Sequence, residues 1–196
     1  MKPVAVLYAT REGQTKRIAE HIAGVMGARG FDVDVKDLRD DSGSIDLNRY
    51  AAAILAASVH LGKHEREMVK FVKDHLTELE RLPSAFLSVT LSEAGVEKPD
   101  ATPEERARHS AGVREVMEKF FVDTGWRPQR VKPVAGALLY SKYNPLVRFV
   151  MKRIARKAGT GTDTSRDYEY TDWVSLDRFI DELADELTAS APQTRR

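Results

Sequence analysis

The sequence predicts an α/β fold with a doubly wound, five-stranded parallel sheet and helices on both faces of the sheet. Short apolar runs alternate with amphipathic segments in the order β-α-β-β-α-β-α-β, and alternating units of this kind build right-handed parallel sheets. Two of the apolar runs, at 50–58 and 84–91, are almost continuous, as expected for strands that helices cover on both sides. In such folds ligands bind in the crevice at the carboxyl ends of the strands.

Length and composition limit the classes of function. A chain of 196 residues is long enough for one domain with a full core, and its 42% hydrophobic and 31% charged residues are typical of soluble globular proteins. The net charge of +1 gives no general affinity for nucleic acid. Because the chain has no cysteine, disulfides, thiolate metal sites and thiol catalysis are excluded, which fits a cytoplasmic protein. No apolar run reaches the ~20 residues that span a bilayer, so membrane contact is expected to be peripheral.

The first predicted strand and helix enclose a candidate phosphate site. The strand is an apolar run at 4–8, and apolar residues repeat at helical spacing from 18 to 26. The loop between them is the stretch TREGQT, which consists of Thr10, Arg11, Glu12, Gly13, Gln14 and Thr15. Free N–H groups and the helix dipole favour a phosphate here, together with the hydroxyls of Thr10 and Thr15, and Gly13 allows close approach. The alternative is an ordinary helix whose first turn is capped by a hydroxyl.

Two common nucleotide classes are disfavoured at this loop. The sequence contains neither the GxxxxGKS/T pattern of nucleoside triphosphate sites nor the GxGxxG pattern of dinucleotide sites. Two more loops are expected beside it, at 58–62 and 90–95, because the carboxyl ends of parallel strands meet at one edge of a sheet.

The remaining elements follow from the same patterns. Alternating apolar and polar residues at 31–38 predict a strand at the edge of the sheet, and the apolar residues at 130–139 predict the last strand. Helical spacing predicts the remaining helices, at 65–82, 104–124 and 172–188. The polar stretch after residue 91 predicts a long loop with glycine and proline. Thr171 and Asp172 are expected to cap the last helix.

An insertion at 140–170 separates the last predicted strand from the last helix, where a connection of a few residues is normal. Its segment at 145–158, PLVRFVMKRIARKA, contains several cations and no acid. A helical wheel places most of its apolar residues on one side and most cations on the other, with Phe149 inside the basic arc. Such a helix can lie on a membrane, bind an acidic partner or cover the core of its own domain, and these alternatives remain open.

Several stretches together resemble the flavodoxin-fold, menaquinone-dependent protoporphyrinogen IX oxidases. They are TREGQT, SVHLGKH, LPSAFLSV, GWRPQR with VAGALLY, and GTDTSRDYEYTDW. The resemblance covers nearly the whole chain, including the insertion, which flavodoxins lack at this place. It implies one flavodoxin-like FMN-binding domain over residues 1–190, followed by a flexible tail at 191–196.

The same resemblance implies an activity and its partners. The enzyme would dehydrogenate a porphyrinogen, protoporphyrinogen IX, in haem biosynthesis and pass the electrons to a membrane quinone, menaquinone. The protein would be cytoplasmic or peripheral on the inner face of the cell membrane, with the segment at 145–158 as the membrane contact. A homo-oligomer remains open, and no nucleic acid or metal is implied.

The resemblance also assigns the cofactor contacts. The loop from Thr10 to Thr15 would hold the FMN phosphate, and the isoalloxazine ring would lie against the other two loops. The ring contacts implied are Ser58, Val59, His60, Leu61, Gly62, Ser88, Val89, Thr90 and Leu91.

The second loop departs from the family pattern. It has His60 and Leu61 where a basic or aromatic pair is expected, so the flat aromatic residue that shields the flavin in many flavodoxins is missing. His60 is the only candidate for a catalytic contact, and a lone histidine in a loop is more often a bystander. Trp126 and Tyr140 either pack near the cofactor or fill the core, and the second role is favoured.

Two other functions remain open. One is a flavodoxin-like electron carrier that serves a protein partner, although such carriers are usually strongly acidic and this chain has a net charge of +1. The other is a flavin-free binding domain.

Overall fold

The computed structural model describes residues 2–41, 45–98, 100–157 and 161–190, so the predicted flexible tail at 191–196 lies outside the described residues. The strands and helices follow in the order β1 (Val4–Ala9), α1 (Gln14–Ala28), β2 (Val33–Asp37), α2 (Leu38–Asp41), β3 (Ala52–His60), β4 (Lys63–His64), α3 (Arg66–Asp74), α4 (Leu76–Arg81), β5 (Ser84–Thr90), α5 (Leu91–Glu97), α6 (Pro103–Thr124), β6 (Arg130–Ala135), β7 (Ala137–Leu138), α7 (Pro145–Lys157), β8 (Tyr168–Glu169) and α8 (Trp173–Ser190).

The main sheet has the predicted parallel, doubly wound arrangement. Its five long strands lie in the order β2-β1-β3-β5-β6, and each pairs with its neighbours in parallel. The strand predicted at 31–38 is confirmed at the edge of the sheet. Because the chain turns back across β1 to form β3, the winding direction reverses between these strands, and their carboxyl ends border the expected crevice.

Alternation along β1 places its side chains in two separate cores. Val4 and Val6 face α1 and α8, where they pack against residues such as Ile18 and Ile180. The intervening side chains, including Leu7, face the helices of the opposite side. Helices therefore cover both faces of the sheet, as the continuous apolar strands predicted.

Three predicted elements differ from the structure. The helix predicted at 65–82 is divided into α3 and α4 at His75, whose backbone leaves the helical region (φ −118°, ψ 23°). The strand predicted at 130–139 ends at Ala135, after which Gly136 donates its N–H to Thr90 O and the chain continues as β7 outside the main sheet. The loop predicted at 90–95 is instead the start of α5.

Helix α5 forms because tertiary packing outweighs its polar composition. The side chain of Thr90 accepts a hydrogen bond from Ser92 N and caps the helix. Gly95 lies so close to α6 that a Cβ there would be 2.7 Å from the ring of His109. A glycine that suggested a loop thus allows two helices to pack closely.

The insertion has a small core of its own. β7 pairs antiparallel with β8, so the two ends of the segment are joined. Behind this ribbon, Tyr140 is fully buried and donates a hydrogen bond from its hydroxyl to Gly161 O at 3.0 Å.

Trp126 is also buried, edge-on to Phe86 at 6.0 Å between ring centroids. Both aromatic residues fill cores, as favoured from the sequence.

Helix α7 leaves most of its apolar residues exposed. Of the predicted segment at 145–158, residues 145–157 are helical and residue 158 lies outside the described residues. Met151 and Ala155 pack on the insertion core. The exposed apolar side chains are Leu146, Val147, Phe149 and Val150, with Phe149 67% exposed. One of the alternatives for this helix was that it covers the core of its own domain. That role accounts for only a minority of the apolar side chains of α7.

Within the described ranges, no helix is both long enough and apolar enough to cross a bilayer. In the same part of the chain, no cluster of three or more histidine and carboxylate side chains is arranged to hold a metal ion.

We expect His64 to make the protein sensitive to acid. Burial lowers the pKa of His64 from its ordinary value of 6.5 to about 4, and its Nε2 lies 2.8 Å from Ser88 Oγ. Between pH 6.5 and 4 the unfolded chain binds a proton at this residue that the folded chain does not, so stability falls as the pH falls. Chemical denaturation should show that this residue alone lowers the free energy of unfolding by ~2 kcal/mol from pH 7 to pH 5.

The matched variant is His64→Gln, which has no titrating group and whose amide can still bond to Ser88 Oγ. Its loss of stability between pH 7 and pH 5 should be smaller than that of the wild type by the same ~2 kcal/mol. An identical pH dependence in the two proteins would contradict the prediction.

Candidate functional site

The amino end of α1 leaves donors free at the predicted phosphate loop. The first helical hydrogen bond runs from Arg17 N to Gly13 O, so the N–H groups of residues 14–16 precede the internal ladder of the helix. Gly13 adopts a left-handed conformation (φ 98°), and no side-chain hydrogen bond caps the helix. Thr10 Oγ1 instead accepts a bond from Gly13 N at 3.1 Å and shapes the turn.

Thr15 provides an independent indication of an anion. Its side chain is fully buried, and its hydroxyl has no hydrogen-bond partner among the described residues. A buried hydroxyl without a partner is costly, and one phosphate oxygen would satisfy it together with the free N–H groups of the same turn. The residues present therefore fit the phosphate of a flavin mononucleotide.

Lys142 adds a positive charge to the phosphate loop. Its Nζ donates a hydrogen bond to Glu12 O at 2.8 Å, and a Cβ on Gly13 would lie 3.4 Å from the same nitrogen. Lys142 belongs to the insertion, 130 residues further along the chain. The insertion thus supplies the cation that the loop's own residues do not place there.

The segment before α8 holds the loop from the other side. Gln14 Nε2 donates to Glu169 Oε1 and to Thr171 Oγ1, both at 2.9 Å. Thr171 in turn donates to Ala135 O at 2.8 Å, at the carboxyl end of β6. Asp172 caps α8 by accepting from Ser175 N, as predicted, whereas the side chain of Thr171 bonds to the phosphate loop and the sheet instead.

The second predicted loop is a tight hairpin at the end of β3. Val59 pairs with His64 and His60 with Lys63, which leaves a two-residue turn of Leu61 and Gly62. Both turn residues have positive φ, 50° and 74°, as the favoured two-residue hairpin turn requires.

A buried carboxylate, Glu65, joins the second loop to the first. Ser58 donates its hydroxyl to Glu65 Oε1 at 3.1 Å, and Arg11 pairs with the other oxygen at 3.0 Å. His60 Nε2 lies 3.2 Å from Glu65 Oε1 and 3.0 Å from Glu12 Oε2, although neither contact has hydrogen-bond geometry. The structure therefore places His60 and Arg11 beside Glu65, between the two loops.

The third predicted set lies at the end of β5. Ser88 is buried, and its hydroxyl is occupied by His64. Val89 packs in the core that faces α1, and Thr90 caps α5. Leu91 is half-buried and packs on the insertion core. Of this set, Leu91 thus lies where the sheet meets the insertion.

Sequence analysis did not identify Lys142 or Glu65. No local motif marks either residue, because each reaches the loop from a distant part of the chain.

Comparisons with known proteins identify the family of the chain. The family model described as "Flavodoxin domain" matches residues 5–165. A protein of Escherichia coli (strain K12) named protoporphyrinogen IX dehydrogenase (quinone) is 34% identical over 91% of this chain and 93% of its own. A protein of the same name from Leishmania major is 33% identical over 91% of this chain and 73% of its own.

A solved structure shows the same fold at low identity. A short-chain flavodoxin associated with a bacterial microcompartment matches with a TM-score of 0.53 and 13% identity, over 95% of this chain and 99% of its own. From the two curated relatives and the family model together, we conclude that the chain belongs to the flavodoxin-fold family of the protoporphyrinogen IX dehydrogenases (quinone).

Proposed function

We propose that this protein is an FMN-dependent dehydrogenase that oxidises protoporphyrinogen IX and passes the electrons to a quinone, menaquinone, in haem biosynthesis. Residues 1–190 form its single FMN-binding domain. The observation that carries the cofactor assignment is the buried, unpartnered hydroxyl of Thr15 at the uncapped amino end of α1. The substrate and the acceptor class follow from the names of the relatives.

The protein holds FMN at both ends of the cofactor, the phosphate and the isoalloxazine ring. The loop from Thr10 to Thr15 binds the phosphate through backbone N–H groups, the Thr15 hydroxyl and Lys142 Nζ. The second loop, 58–62, and residues 88–91, where β5 passes into α5, place the isoalloxazine ring at the carboxyl edge of the sheet. Bound there, FMN would supply the two-electron redox chemistry by which the porphyrinogen is oxidised and the quinone is reduced.

Glu65 sets the distance between the first and second loops. Its carboxylate is 4% exposed and receives Ser58 Oγ and Arg11 Nε, one from each loop. Removing a buried, bonded partner of this kind leaves the other charge unpaired. Glu65 therefore positions the second loop relative to the phosphate. His60 lies beside Glu65, and its geometry gives no reason to assign it a proton-transfer role.

Helix α7 is the membrane contact in this proposal. Its exposed Leu146, Phe149 and Val150 present apolar surface next to Arg153 and Arg156, and the helix contains no acid. An interfacial helix combines these two properties, since apolar side chains enter the lipid boundary while cations meet anionic headgroups. A quinone dissolved in the bilayer is reached from such a position.

We expect the purified protein with bound FMN to convert protoporphyrinogen IX to a fluorescent porphyrin under anaerobic conditions. With a menaquinone analogue the yield should exceed the amount of FMN many times, and without a quinone it should stop near one two-electron step per FMN. Coproporphyrinogen, tested in parallel, defines the substrate preference. Absence of porphyrin fluorescence with quinone present would contradict the proposal. Semiquinone cycling with a reductase but no turnover of small substrates would favour the electron carrier.

We expect Lys142→Gln to weaken the binding of FMN about tenfold, because a charge-assisted contact to the phosphate is lost. Riboflavin has no phosphate, so its affinity should stay the same. Flavin fluorescence quenching measures both affinities without any turnover. Lys152→Gln, in the same insertion but on α7, is the matched control and should bind both flavins like the wild type. An equal loss for FMN and riboflavin would mean that Lys142 supports only the shape of the loop.

We expect Phe149→Ser to reduce binding to anionic phosphatidylglycerol vesicles about tenfold, because a buried phenyl side chain contributes ~1.5–3 kcal/mol when fully removed from water. Val122→Ser, at an apolar residue of α6 that is 76% exposed, is the control and should bind like the wild type. Co-sedimentation with anionic and with neutral vesicles measures both. A dimer in vesicle-free buffer that Phe149→Ser dissociates would assign this surface to a second copy of the chain instead.

A further inference from the structure

A cleft of about 580 Å³, open to solvent, lies between the β3–β4 hairpin, α3 and α6. Its volume falls in the range of ~300–1,000 Å³ that is usual for small-molecule sites. Val69, Val116 and Phe120 supply its apolar wall. Asp123 is the only acid among its lining residues, and this carboxylate is paired with Lys73 at 2.6 Å. The cleft itself therefore has no free negative charge.

Three cations surround the apolar wall. They are Lys63, Arg66 and Lys119. The backbone of Lys63 pairs with His60, but its side chain has neither a hydrogen bond nor an ion pair with any other residue that the structure describes. Arg66 contacts the adjacent Glu67, and Lys119 contacts Glu115 one turn away, but both pairs are exposed and such pairs contribute little. The cleft thus combines an apolar surface with positive charges that a ligand can recruit.

Leu61 stands at the edge of this cleft in a conformation that disfavours leucine. Its φ is +50°, and its side chain is 91% exposed. Asparagine before Gly62 would suit the turn better, because it tolerates positive φ and water. Leucine here is unfavourable both for the backbone and for solvation. Strain that persists at an exposed loop points to a binding role for the side chain.

The cleft shares a wall with the proposed flavin site. Leu61 and Gly62 line the cleft and also belong to the loop assigned to the isoalloxazine ring. A molecule in the cleft lies against the same hairpin as the ring. Transfer of hydrogen requires the reacting atoms to come within ~3–3.5 Å, so a substrate site must adjoin the flavin in this way.

We propose that this cleft binds the porphyrinogen, with its pyrrole rings against the apolar wall and Leu61 and its carboxylates at Lys63 and Arg66. The inference rests on the proposed function and adds the residues that recognise the substrate. A porphyrinogen is an apolar macrocycle with carboxylate side chains at its edge, which matches the wall and the cations. A quinone is apolar but uncharged, so the cations give it no advantage.

The test is a titration of the FMN-loaded protein with protoporphyrin IX, the product of the reaction, followed by porphyrin fluorescence. The double variant Lys63→Gln with Arg66→Gln should bind this porphyrin about tenfold more weakly than the wild type, since two charge-assisted contacts are lost. The dimethyl ester of the same porphyrin has no carboxylate, and it should bind to both proteins with equal affinity. Lys70→Gln, on α3 outside the cleft, is the matched control and should behave like the wild type.

Turnover provides a second readout. In the double variant the KM for protoporphyrinogen IX should rise about tenfold, with kcat and the KM for the quinone unchanged. Leu61→Asn should lower turnover, because an apolar contact with the substrate is lost. Its Tm should be unchanged or up to about 2–4 °C higher than that of the wild type, because the turn is relieved of strain. A residue with only a structural role would not separate activity from stability in this direction.

Equal affinity of the wild type and the double variant for protoporphyrin IX would overturn the inference, as would a wild type that does not bind the porphyrin. A rise in the KM for the quinone alone would assign the cleft to the acceptor and overturn it as well. Failure of the proposed function is a separate result: a wild type that binds the porphyrin in the cleft but converts no porphyrinogen with any quinone.

Discussion

The uncapped amino end of α1 is the constraint on which the crevice depends. Gly13 turns the chain in a left-handed conformation, and the first turn of the helix then carries free N–H groups and the buried hydroxyl of Thr15, which has no partner among the described residues. Dipole and free donors together require an anion there. The surrounding structure is built around this requirement: Gln14 is anchored to the segment before α8, and Lys142 covers the loop from the insertion.

The insertion has two sides with different surroundings. Its inner side packs around Tyr140 and contacts Leu91, the first residue of α5. Its outer side, on α7, exposes apolar and cationic side chains that nothing in the described chain covers. Residues that a compact carrier would not need thus connect the cofactor loop with the surface.

The fold was predictable because its signals are local. The apolar run of β3 and the alternating pattern of β2 are each visible within a few consecutive residues of the sequence. The errors arose where distant residues decide the structure. Gly95 looked like part of a loop, but His109 packs on it, and the polar stretch becomes α5. The same limit applies to the site: TREGQT predicted a phosphate loop from local sequence, whereas Lys142 and Glu65 were missed because only the folded chain brings them to this loop.

The hydrogen bonds of Gln14 to Glu169 and Thr171 join residues 155 and 157 positions apart. Contacts over such separations form late, since almost the whole chain must be ordered before the ends meet. The phosphate loop is therefore completed only once the distant segment that carries Glu169 and Thr171 has docked. Flavin retention then reports that this segment is in place.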